Sequence, residues 1–431
     1  MLTTLNKAPS PDKVVGSAAP ASGQLGAPAS SRPIKVYMMD LWAYVPYYDG
    51  YLARSLRTAG VDLTMGSISY HNDPEYFRRN GIEIDPGCCD VVARMRTSRP
   101  RLRQSLKFLE FCLNTAALSF RFTFAKPDVV HVQYVPLLEH GLPFEIWFLQ
   151  YVKWLGIPIV YTVHNVLPPN IGERYKKYYE RVYSLANLLI CHNQAAKTRL
   201  IDEFAIDPKR IRVIPHGPMF YDGQRPTVAE ARALMGLPAG QCLVLWQGVV
   251  APYKGIDFLL DAWSRIQASG VNSRLLIAGT GHAHLLQGVR DKAHALGLEK
   301  SVQLELRFLP VDELTRFYQA ADIVVYPYKE ITTSGALLTG ISLAKPIVAS
   351  NLPPFREILH DGKNAAFVEY GDVDGLAKTL ARLIQDPAER KRLADALAAS
   401  SSTQDPWLPI AQQTQKCYRE VLQPYARPPG M

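Results

Sequence analysis

The chain has 431 residues, of which 48% are hydrophobic and 20% are charged, and its formal net charge is +9. This length and composition exclude a wholly disordered chain and allow two globular domains, each with its own core. The positive charge favours an anionic partner, such as a nucleotide, a phospholipid surface or a nucleic acid, without choosing between them.

Cysteine usage and hydropathy restrict the location of the protein. Six cysteines are scattered without C-x-x-C spacing, which predicts reduced thiols and a cytoplasmic location. Residues 1-32 are rich in Ala, Pro, Ser and Gly and lack an apolar signal segment, so they predict a disordered tail. No stretch reaches the roughly 18 uninterrupted apolar residues of a membrane span, since Gly141–Tyr161 contains Glu145, Gln150 and Lys153. The sequence therefore predicts a soluble or peripheral protein.

An N-terminal domain is predicted over residues 33-218. Its first strand, IKVYMMD, starts at Ile34 and precedes a tyrosine-rich loop and the helix YLARSLRTAG. Further apolar strands alternate with helices, and they read PDVVHVQY, IPIVYTVHN, LLICHN and RVIPHG. Alternation of strands with helices of this length predicts an α/β fold with a doubly wound parallel sheet.

A basic and aromatic segment interrupts this alternation between Arg94 and Phe124. Its basic residues are Arg94, Arg96, Arg99, Arg101, Arg103 and Lys107, and they lead into the apolar helix SLKFLEFCLNTAALSFRF. A basic cluster beside apolar aromatic surface is typical of proteins that rest on an anionic membrane. A core helix with a solvated basic lead-in is the alternative, and the sequence leaves both open.

A second domain is predicted over residues 219-405, after a polar connection from Gly217 to Arg225. Its strands LVLWQG, SRLLIAG, VQLELRF, IVVYPY and PIVAS again alternate with helices. A final helix within residues 406-431 is predicted to pack back toward the N-terminal domain. Because doubly wound sheets bind ligands at the carboxyl ends of their strands, two such domains predict a cleft between them.

The stretch Tyr326–Ser350 has the clearest signal of a binding site. It reads as a strand, a polar loop, a helix that starts at Ser334-Gly335, and a second strand. Unpaired N–H groups and the positive end of the dipole at a helix start favour an anion, most often a phosphate. The Ser334 hydroxyl has the alternative role of helix N-cap, and the two roles are compatible.

Two cations are predicted at the same edge of the second sheet. Lys254 directly precedes Gly255 and a helix start, where a lysine opposes the helix dipole; this favours contact with a bound anion over a surface role. Arg307 ends the strand VQLELRF and is predicted to face the same cleft, with a salt-bridged loop arginine as the alternative.

Six motifs follow one another in a characteristic order: VHN, VIPHG, QGxxxxxKG, LLIAGTG, ADIVVYPY with a following SG, and EILHDG with a following GDVDGLA. In order and spacing they resemble the GT-B glycosyltransferases of the large family 4. The Ser-Gly form of the late motif resembles the bacterial branch that includes polysaccharide mannosyl- and glucosyltransferases. The resemblance covers Ile34 to Ile384 and implies two facing Rossmann-like domains, with a nucleotide-sugar in the C-terminal one and an acceptor in the other.

The resemblance also implies roles for individual residues. Lys254 matches the lysine that contacts the diphosphate. His164 matches the histidine near the reacting sugar, with a structural histidine at the end of a buried strand as the alternative. Asp40 and Asp49 could hold the acceptor, with Asp49 as the preferred base if the reaction inverts. The expected donor-binding residues are Gly248, Lys254, Gly255, Gly279, Phe308, Glu330, Ser334, Gly335, Ala336 and Thr339. The expected catalytic residues are His164, Lys254, Arg307 and Asp49.

The sequence departs from the family pattern at two places. The family has two glutamates eight positions apart, but here the second position is Thr339, and Glu330 lies one residue off the register of the first. The arginine usual in the loop before the lysine is absent, with Val249 and Ala251 at its two usual positions. Loss of a phosphate cation weakens stabilisation of the transition state unless Arg307 or another cation replaces it.

Two short motifs are not interpreted as metal or cofactor sites. Asp372-Val373-Asp374 resembles a metal-binding DxD, but it precedes GLAKTLARLI and predicts an N-cap and first-turn acids. Gly279-Thr280-Gly281 lacks the third glycine and the acidic residue of a dinucleotide fingerprint. We therefore expect no metal and no cofactor, with the nucleotide-sugar as co-substrate.

The resulting hypothesis is a metal-independent, retaining hexosyltransferase of bacterial polysaccharide or glycolipid synthesis. It would use a UDP- or GDP-sugar and a glycan or lipid-linked acceptor, and no nucleic acid. We expect it in the cytoplasm, with peripheral contact to the inner face of the plasma membrane through Arg94–Phe124. Two alternatives remain: an epimerase that uses the same cleft without an acceptor, and a catalytically weak member that binds nucleotide-sugar or a partner subunit.

Overall fold

The N-terminal half is built on one parallel sheet. The computed structural model describes residues 32–92, 95, 100–168, 172–220, 225–400 and 405–423. The strands of the first sheet are β1 Lys35–Asp40, β2 Asp62–Ser67, β3 Val129–Val132, β4 Ile159–Val163, β5 Leu188–Cys191 and β6 Ile211–Val213. They lie in the order β2-β1-β3-β4-β5-β6, and all neighbours are parallel.

Helices cover both faces of this sheet. They are α1 Pro46–Thr58, α2 Tyr76–Arg79, α3 Pro100–Phe124, α4 Phe144–Trp154, α5 Lys176–Leu185 and α6 Gln194–Phe204, with 3-10 helices at Pro136–His140, Gly172–Tyr175 and Pro208–Arg210. Alternate residues of a strand point to opposite faces, so Tyr37 and Met39 enter one hydrophobic core while Val36 and Met38 enter another. The inner strands β3, β4 and β5 are buried along their whole length, which explains their largely apolar sequences.

The C-terminal half repeats this plan. Its strands are β7 Cys242–Gln247, β8 Ser273–Ala278, β9 Val302–Glu305, β10 Ile323–Tyr326, β11 Ile347–Ser350 and β12 Ala366–Val368, in the order β12-β11-β10-β7-β8-β9. Its helices are α7 Val228–Leu234, α8 Ile256–Ala268, α9 Ala283–Ala295, α10 Val311–Ala320, α11 Gly335–Ser342, α12 Pro353–Arg356, α13 Val373–Gln385 and α14 Pro387–Ser400. The predicted fold of two doubly wound parallel sheets is confirmed.

The strand orders locate the binding edge of each sheet. The chain reverses its direction of progress between β1 and β3, and again between β7 and β10. Ligands of doubly wound sheets bind beyond the carboxyl ends of the strands at such reversals. Gly248 and Pro327 directly follow β7 and β10, so the loops that begin there form the floor of the expected site in the C-terminal half.

The last helix, α15 Leu408–Leu422, packs on the N-terminal half. Trp407, Ile410 and Tyr418 are buried in the same core as β1, and the Trp407 Nε1–H donates to the Pro218 carbonyl at 2.7 Å. The Phe220 N–H also donates to the N-terminal half, at 2.9 Å from the Tyr51 hydroxyl. The boundary between residues 218 and 219 stays a prediction, since the chain on both sides of it contacts the first half.

Some sequence predictions fall outside the described residues. They include nearly all of the tail at 1-32 and three arginines of the basic segment, Arg94, Arg96 and Arg99. All six cysteines are free thiols. In the described part of the chain, every helix is too short or too polar to cross a bilayer.

Candidate active site

Eight of the predicted site residues lie together around one cavity of about 260 Å³, which we call the lysine cavity. These residues are Gly248, Lys254, Gly279, Arg307, Phe308, Gly335, Ala336 and Thr339. The cavity lies beside the loops that follow β7 and β10. The structure thus brings together, at the reversal of the second sheet, residues that are as much as 91 positions apart, counted from Gly248 to Thr339.

Lys254 is the buried cation of this cavity. Only 8% of the residue is exposed, and its Nζ lies 3.3 Å from the Tyr328 hydroxyl and 4.8 Å from the centroid of the same ring. Burial lowers the pKa of Lys254, but the phenol oxygens of Tyr328 and Tyr253 more than offset this and raise it. Among the described residues no carboxylate forms an ion pair with Lys254. A buried ammonium group without a carboxylate partner suits an anionic ligand.

Two glycines hold the loops of the lysine cavity close together. Gly255 has a φ of +69°, and a Cβ there would lie 1.8 Å from the Pro327 carbonyl oxygen. Gly279 has a φ of +151°, and its Cβ would lie 1.8 Å from the carbonyl oxygen of Gly248. Both positions therefore require glycine for backbone packing, which in turn fixes the place of Lys254.

The Ser334-Gly335 turn lies between the lysine cavity and a neighbouring one. The Ser334 hydroxyl accepts from the Leu337 N–H at 3.2 Å, so Ser334 is the N-cap of α11. Ser334 lines a cavity of about 220 Å³ together with His192 and His216, which we call the histidine cavity. Gly335 lines the lysine cavity, where it contacts the side chain of Met219. The Ser334 hydroxyl also lies 3.5 Å from the Tyr328 hydroxyl, which is the partner of Lys254.

Arg307 lines the lysine cavity but is held by two carboxylates. It forms ion pairs with Glu313 and, at 3.2 Å, with Glu305, and both raise the pKa of Arg307. This geometry matches the salt-bridged alternative. An arginine already paired with two acids is a weak substitute for the arginine missing at Val249 or Ala251.

The two-glutamate pattern of the family is not restored in space. Thr339 is buried, and its hydroxyl donates to the Gly335 carbonyl at 2.9 Å within α11. Glu330 is exposed and lines neither the lysine cavity nor the histidine cavity. Neither residue offers a carboxylate to the lysine cavity, so the prediction of donor contact for Glu330 does not fit this geometry.

His164 is one of three neighbouring histidines, with His192 and His216, that follow the adjacent strands β4, β5 and β6. Its Nε2 lies 3.2 Å from Gln133 Oε1, and its Nδ1 lies 3.4 Å from Nε2 of His192. Burial lowers the pKa of His192 to about 4 and that of His216 to about 3, and it lowers the pKa of His164 as well. These imidazoles are therefore neutral at pH 7. His164 lines neither the lysine cavity nor the histidine cavity.

The role predicted for Asp49 needs correction. Asp49 is fully buried and lines none of the cavities of the cleft. Burial and the neighbouring Asp40 raise the pKa of Asp49, and the buried carboxyl is out of reach of an acceptor. Asp40 is buried too, and its carboxylate accepts from the Val45 N–H at 2.9 Å, which fixes the loop after β1. Of the two acids, only Asp40 accepts hydrogen bonds from the backbone of this loop among the described residues.

The DxD-like motif is a helix start, as its sequence context predicts. Asp372 Oδ1 accepts from the Gly375 N–H at 2.8 Å and is the N-cap of α13, while Asp374 pairs with Arg265. In the part of the chain that the structure describes, no three His, Cys, Asp or Glu side chains are grouped as metal ligands would be.

Sequence reasoning missed an aromatic wall of the lysine cavity. Tyr47, Tyr70 and Phe220 line it, and the Tyr47 ring lies 5.8 Å from Tyr70 and 4.9 Å from Phe220, between centroids. Tyr70 also contacts Phe308 at 6.1 Å, which joins the two halves of the molecule. The signal that could have found Tyr47 is the tyrosine-rich loop at the carboxyl end of β1.

Comparisons with known proteins agree with this geometry. Residues 50–217 match the family model described as Glycosyltransferase Family 4, and residues 241–386 match the model described as Glycosyl transferases group 1. A D-inositol 3-phosphate glycosyltransferase of Acidothermus cellulolyticus is 26% identical over 82% of this chain and 80% of its own length.

Solved structures show the same architecture. Anabaena HepE in complex with UDP and glucose superposes with a TM-score of 0.70 at 17% identity, over 90% of this chain and 100% of its own. Sucrose-phosphate synthase from Thermosynechococcus elongatus also gives 0.70, at 19% identity, over 90% of this chain and 99% of its own. The two facing sheets therefore define a protein of the GT-B class. Within that class, the chain belongs to the glycosyltransferases of family 4.

Proposed function

We propose that the chain transfers a hexose from a nucleotide-sugar to a glycan or lipid-linked acceptor in bacterial polysaccharide or glycolipid synthesis, with retention and without a metal. The observation that supports this most is Lys254, a buried cation at the reversal of the second sheet that pairs with no carboxylate of the described residues. The complex of HepE with UDP and glucose makes a UDP-sugar the first donor to test.

The donor diphosphate fits between Lys254 and the first turn of α11, where Gly335 and Ala336 line the cavity. The first N–H groups of a helix have no intrahelical acceptor and point toward such a ligand. When the bond from the anomeric carbon to the diphosphate breaks, negative charge grows on the leaving oxygen. Lys254 stabilises that charge more strongly in a desolvated site than it would in water.

Retention is supported by the composition of the cavity wall. No Asp or Glu is among the described residues that line the lysine cavity. Asp49, the base that the sequence suggests for inversion, is buried away from the cleft. The leaving phosphate is then the group that takes the acceptor proton, on the same face of the sugar.

A peripheral contact with an anionic membrane forms part of this proposal. α3 has a buried apolar stripe that includes Phe111, Leu118 and Phe122, and a second apolar stripe that is exposed. The exposed stripe consists of Leu102, Leu109, Leu113, Phe120 and Phe124. A helix that only covers the core needs the buried stripe but not the exposed one. Trp147 and Trp154 of α4 extend the exposed surface, with Lys126 and Lys153 exposed beside it. Aromatic side chains flanked by lysines suit an anionic interface.

A catalytically weak nucleotide-sugar-binding protein is the second candidate. The observations that favour it are the hydroxyl of Thr339 bonded within its own helix and the ion pairs of Arg307. Both leave the lysine cavity with fewer groups to hold a donor than the family pattern provides.

The decisive experiment measures UDP-glucose and GDP-mannose turnover with and without an acceptor, in the wild type and in Lys254→Met. We expect release of the nucleoside diphosphate that depends on acceptor, and a loss of about 100-fold or more in Lys254→Met. The melting temperature should stay level or rise, because the variant removes a buried charge that has no counter-charge. Lys329→Met, at an exposed lysine of the facing loop, is the matched control.

Other outcomes select other functions. Binding without turnover would favour the weak member, and isomerisation of the donor alone would favour the epimerase. Equal turnover in Lys254→Met and the wild type would overturn the assignment of the donor site.

A further inference from the structure

A third cavity of about 520 Å³ spans the cleft, and we call it the tyrosine cavity. The N-terminal half contributes Tyr44, Tyr134, Glu139, Asn165 and Pro168. The C-terminal half contributes Val249, Val250, Ala251, Pro252, Tyr253, His282, His284 and Leu285. Val249 lines both this cavity and the lysine cavity, so the two meet at that residue. A molecule in the tyrosine cavity therefore lies next to the proposed donor.

Glu139 is held rigidly at the wall of this cavity. The rings of Tyr44 and Tyr134 stack with centroids 3.8 Å apart and planes 7° from parallel. Both phenols donate to the Glu139 carboxylate, Tyr44 at 3.3 Å and Tyr134 through a short hydrogen bond. A carboxylate has about four acceptor positions, so Glu139 keeps acceptor capacity for a ligand.

The charged groups of the tyrosine cavity do not suit a phosphorylated acceptor, such as the inositol phosphate in the name of the Acidothermus relative. Glu139 is the one Asp or Glu among the described residues that line it, and no Lys or Arg is among them. At the two positions where the family places its arginine, Val249 and Ala251 present apolar side chains to this cavity. A phosphate group there would meet the Glu139 carboxylate, and the described lining offers it His282 and His284 but no Lys or Arg. Hydroxyl groups, by contrast, donate well to a fixed carboxylate.

We propose that the tyrosine cavity binds an uncharged, hydroxyl-rich sugar ring of the acceptor, with Glu139 accepting from its hydroxyls. This inference rests on the proposed function. In the reaction, an acceptor hydroxyl oxygen bonds to the anomeric carbon as the bond to the diphosphate breaks, and its proton goes to the leaving phosphate. The products are a glycoside and a nucleoside diphosphate. The acceptor sugar thus differs in charge from the inositol phosphate in the name of the Acidothermus relative.

The test compares binding of methyl α-D-glucopyranoside and methyl α-D-mannopyranoside with that of glucose 6-phosphate and D-myo-inositol 3-phosphate, by saturation-transfer NMR on the full chain with UDP present. We expect the neutral glycosides to bind and the phosphates to bind at least about 10-fold more weakly. Glu139→Gln should weaken neutral glycoside binding by about 10-fold, because it replaces a charged acceptor. Glu83→Gln, at an exposed glutamate, is the matched control.

Two results would overturn the inference: tighter binding of the phosphorylated sugars by the wild type, or unchanged glycoside binding in Glu139→Gln. The UDP-induced shift in melting temperature is read separately and should be the same in Glu139→Gln and the wild type, because Glu139 does not line the lysine cavity. If UDP gives no shift while the glycosides still bind through Glu139, the proposed function fails and the sugar site stands.

Discussion

At the scale of single residues, the position of Lys254 depends on the glycine that follows it. Gly255 lets the loop after β7 approach Pro327 of the loop after β10, and the Lys329 N–H then donates to the Tyr253 carbonyl at 2.8 Å. Two loops far apart in sequence are thereby joined directly under the lysine cavity.

Substitution of Gly255 tests this close approach. Gly255→Ala adds a Cβ that would lie 1.8 Å from a backbone oxygen, so the loops must separate. Gly270→Ala is the matched control, because Gly270 has a similar φ of +71° with nothing within 4 Å of its Cβ position. We expect the control to lose about 1 to 2 kcal/mol of stability from left-handed backbone strain, and Gly255→Ala to lose clearly more.

Urea denaturation of both variants measures the two free energies of unfolding. Equal losses would mean that the loops adjust freely and that the contact with Pro327 does not position Lys254.

The sequence was most informative where a local pattern implies a chemical environment. Lys254 and the Ser334-Gly335 turn could be predicted as a phosphate site because a cation and a helix start follow buried strands, and that role stays a prediction. Arg307 and Asp49 were harder. Whether an arginine is free depends on partners such as Glu313, and whether an aspartate reaches a cleft depends on packing across the sheet. Glu305 and Glu313 lie close to Arg307 in the sequence, but only the structure shows that both pair with it.

At the scale of elements, the alternation of strands and helices predicted both sheets. Strands buried on both faces must be apolar throughout, and this leaves a clear signal in the sequence. The basic and aromatic helix α3 was ambiguous, because it has two apolar stripes and the sequence does not say which of them packs against the core. The structure buries one stripe and exposes the other.

The exposed stripe of α3 predicts binding to anionic vesicles. Phe120 and Phe124 are 71% and 76% exposed, with ring centroids 5.1 Å apart. We expect Phe120→Ser with Phe124→Ser to reduce sedimentation with phosphatidylglycerol vesicles by about 10-fold or more, because two aromatic anchors are lost. Val228→Ser with Leu234→Ser is the matched control, since these exposed residues lie on α7 of the other half.

Stability should be unaffected in both double variants, because the side chains are exposed. If the two pairs of substitutions reduce vesicle binding equally, or neither does, α3 is not the docking surface.

At the scale of the whole molecule, the end of the chain secures the first half. Trp407 is fully buried, stacks on Tyr51 with centroids 5.5 Å apart, and bonds to the carbonyl of Pro218 in the connection between the halves. A Cβ on Gly217 would lie 2.3 Å from the Trp407 ring. The connection, the first half and α15 thus form one packed unit beside the cleft.

This arrangement predicts that Trp407→Ala destabilises the protein strongly. Removing a fully buried indole leaves a cavity and typically costs about 3 to 5 kcal/mol. Trp154→Ala is the matched control, since Trp154 is 77% exposed and its loss should stay within about 0.5 kcal/mol. Urea unfolding followed by far-ultraviolet circular dichroism compares the two without relying on tryptophan fluorescence. Similar small losses would show that α15 is only loosely attached to the first half.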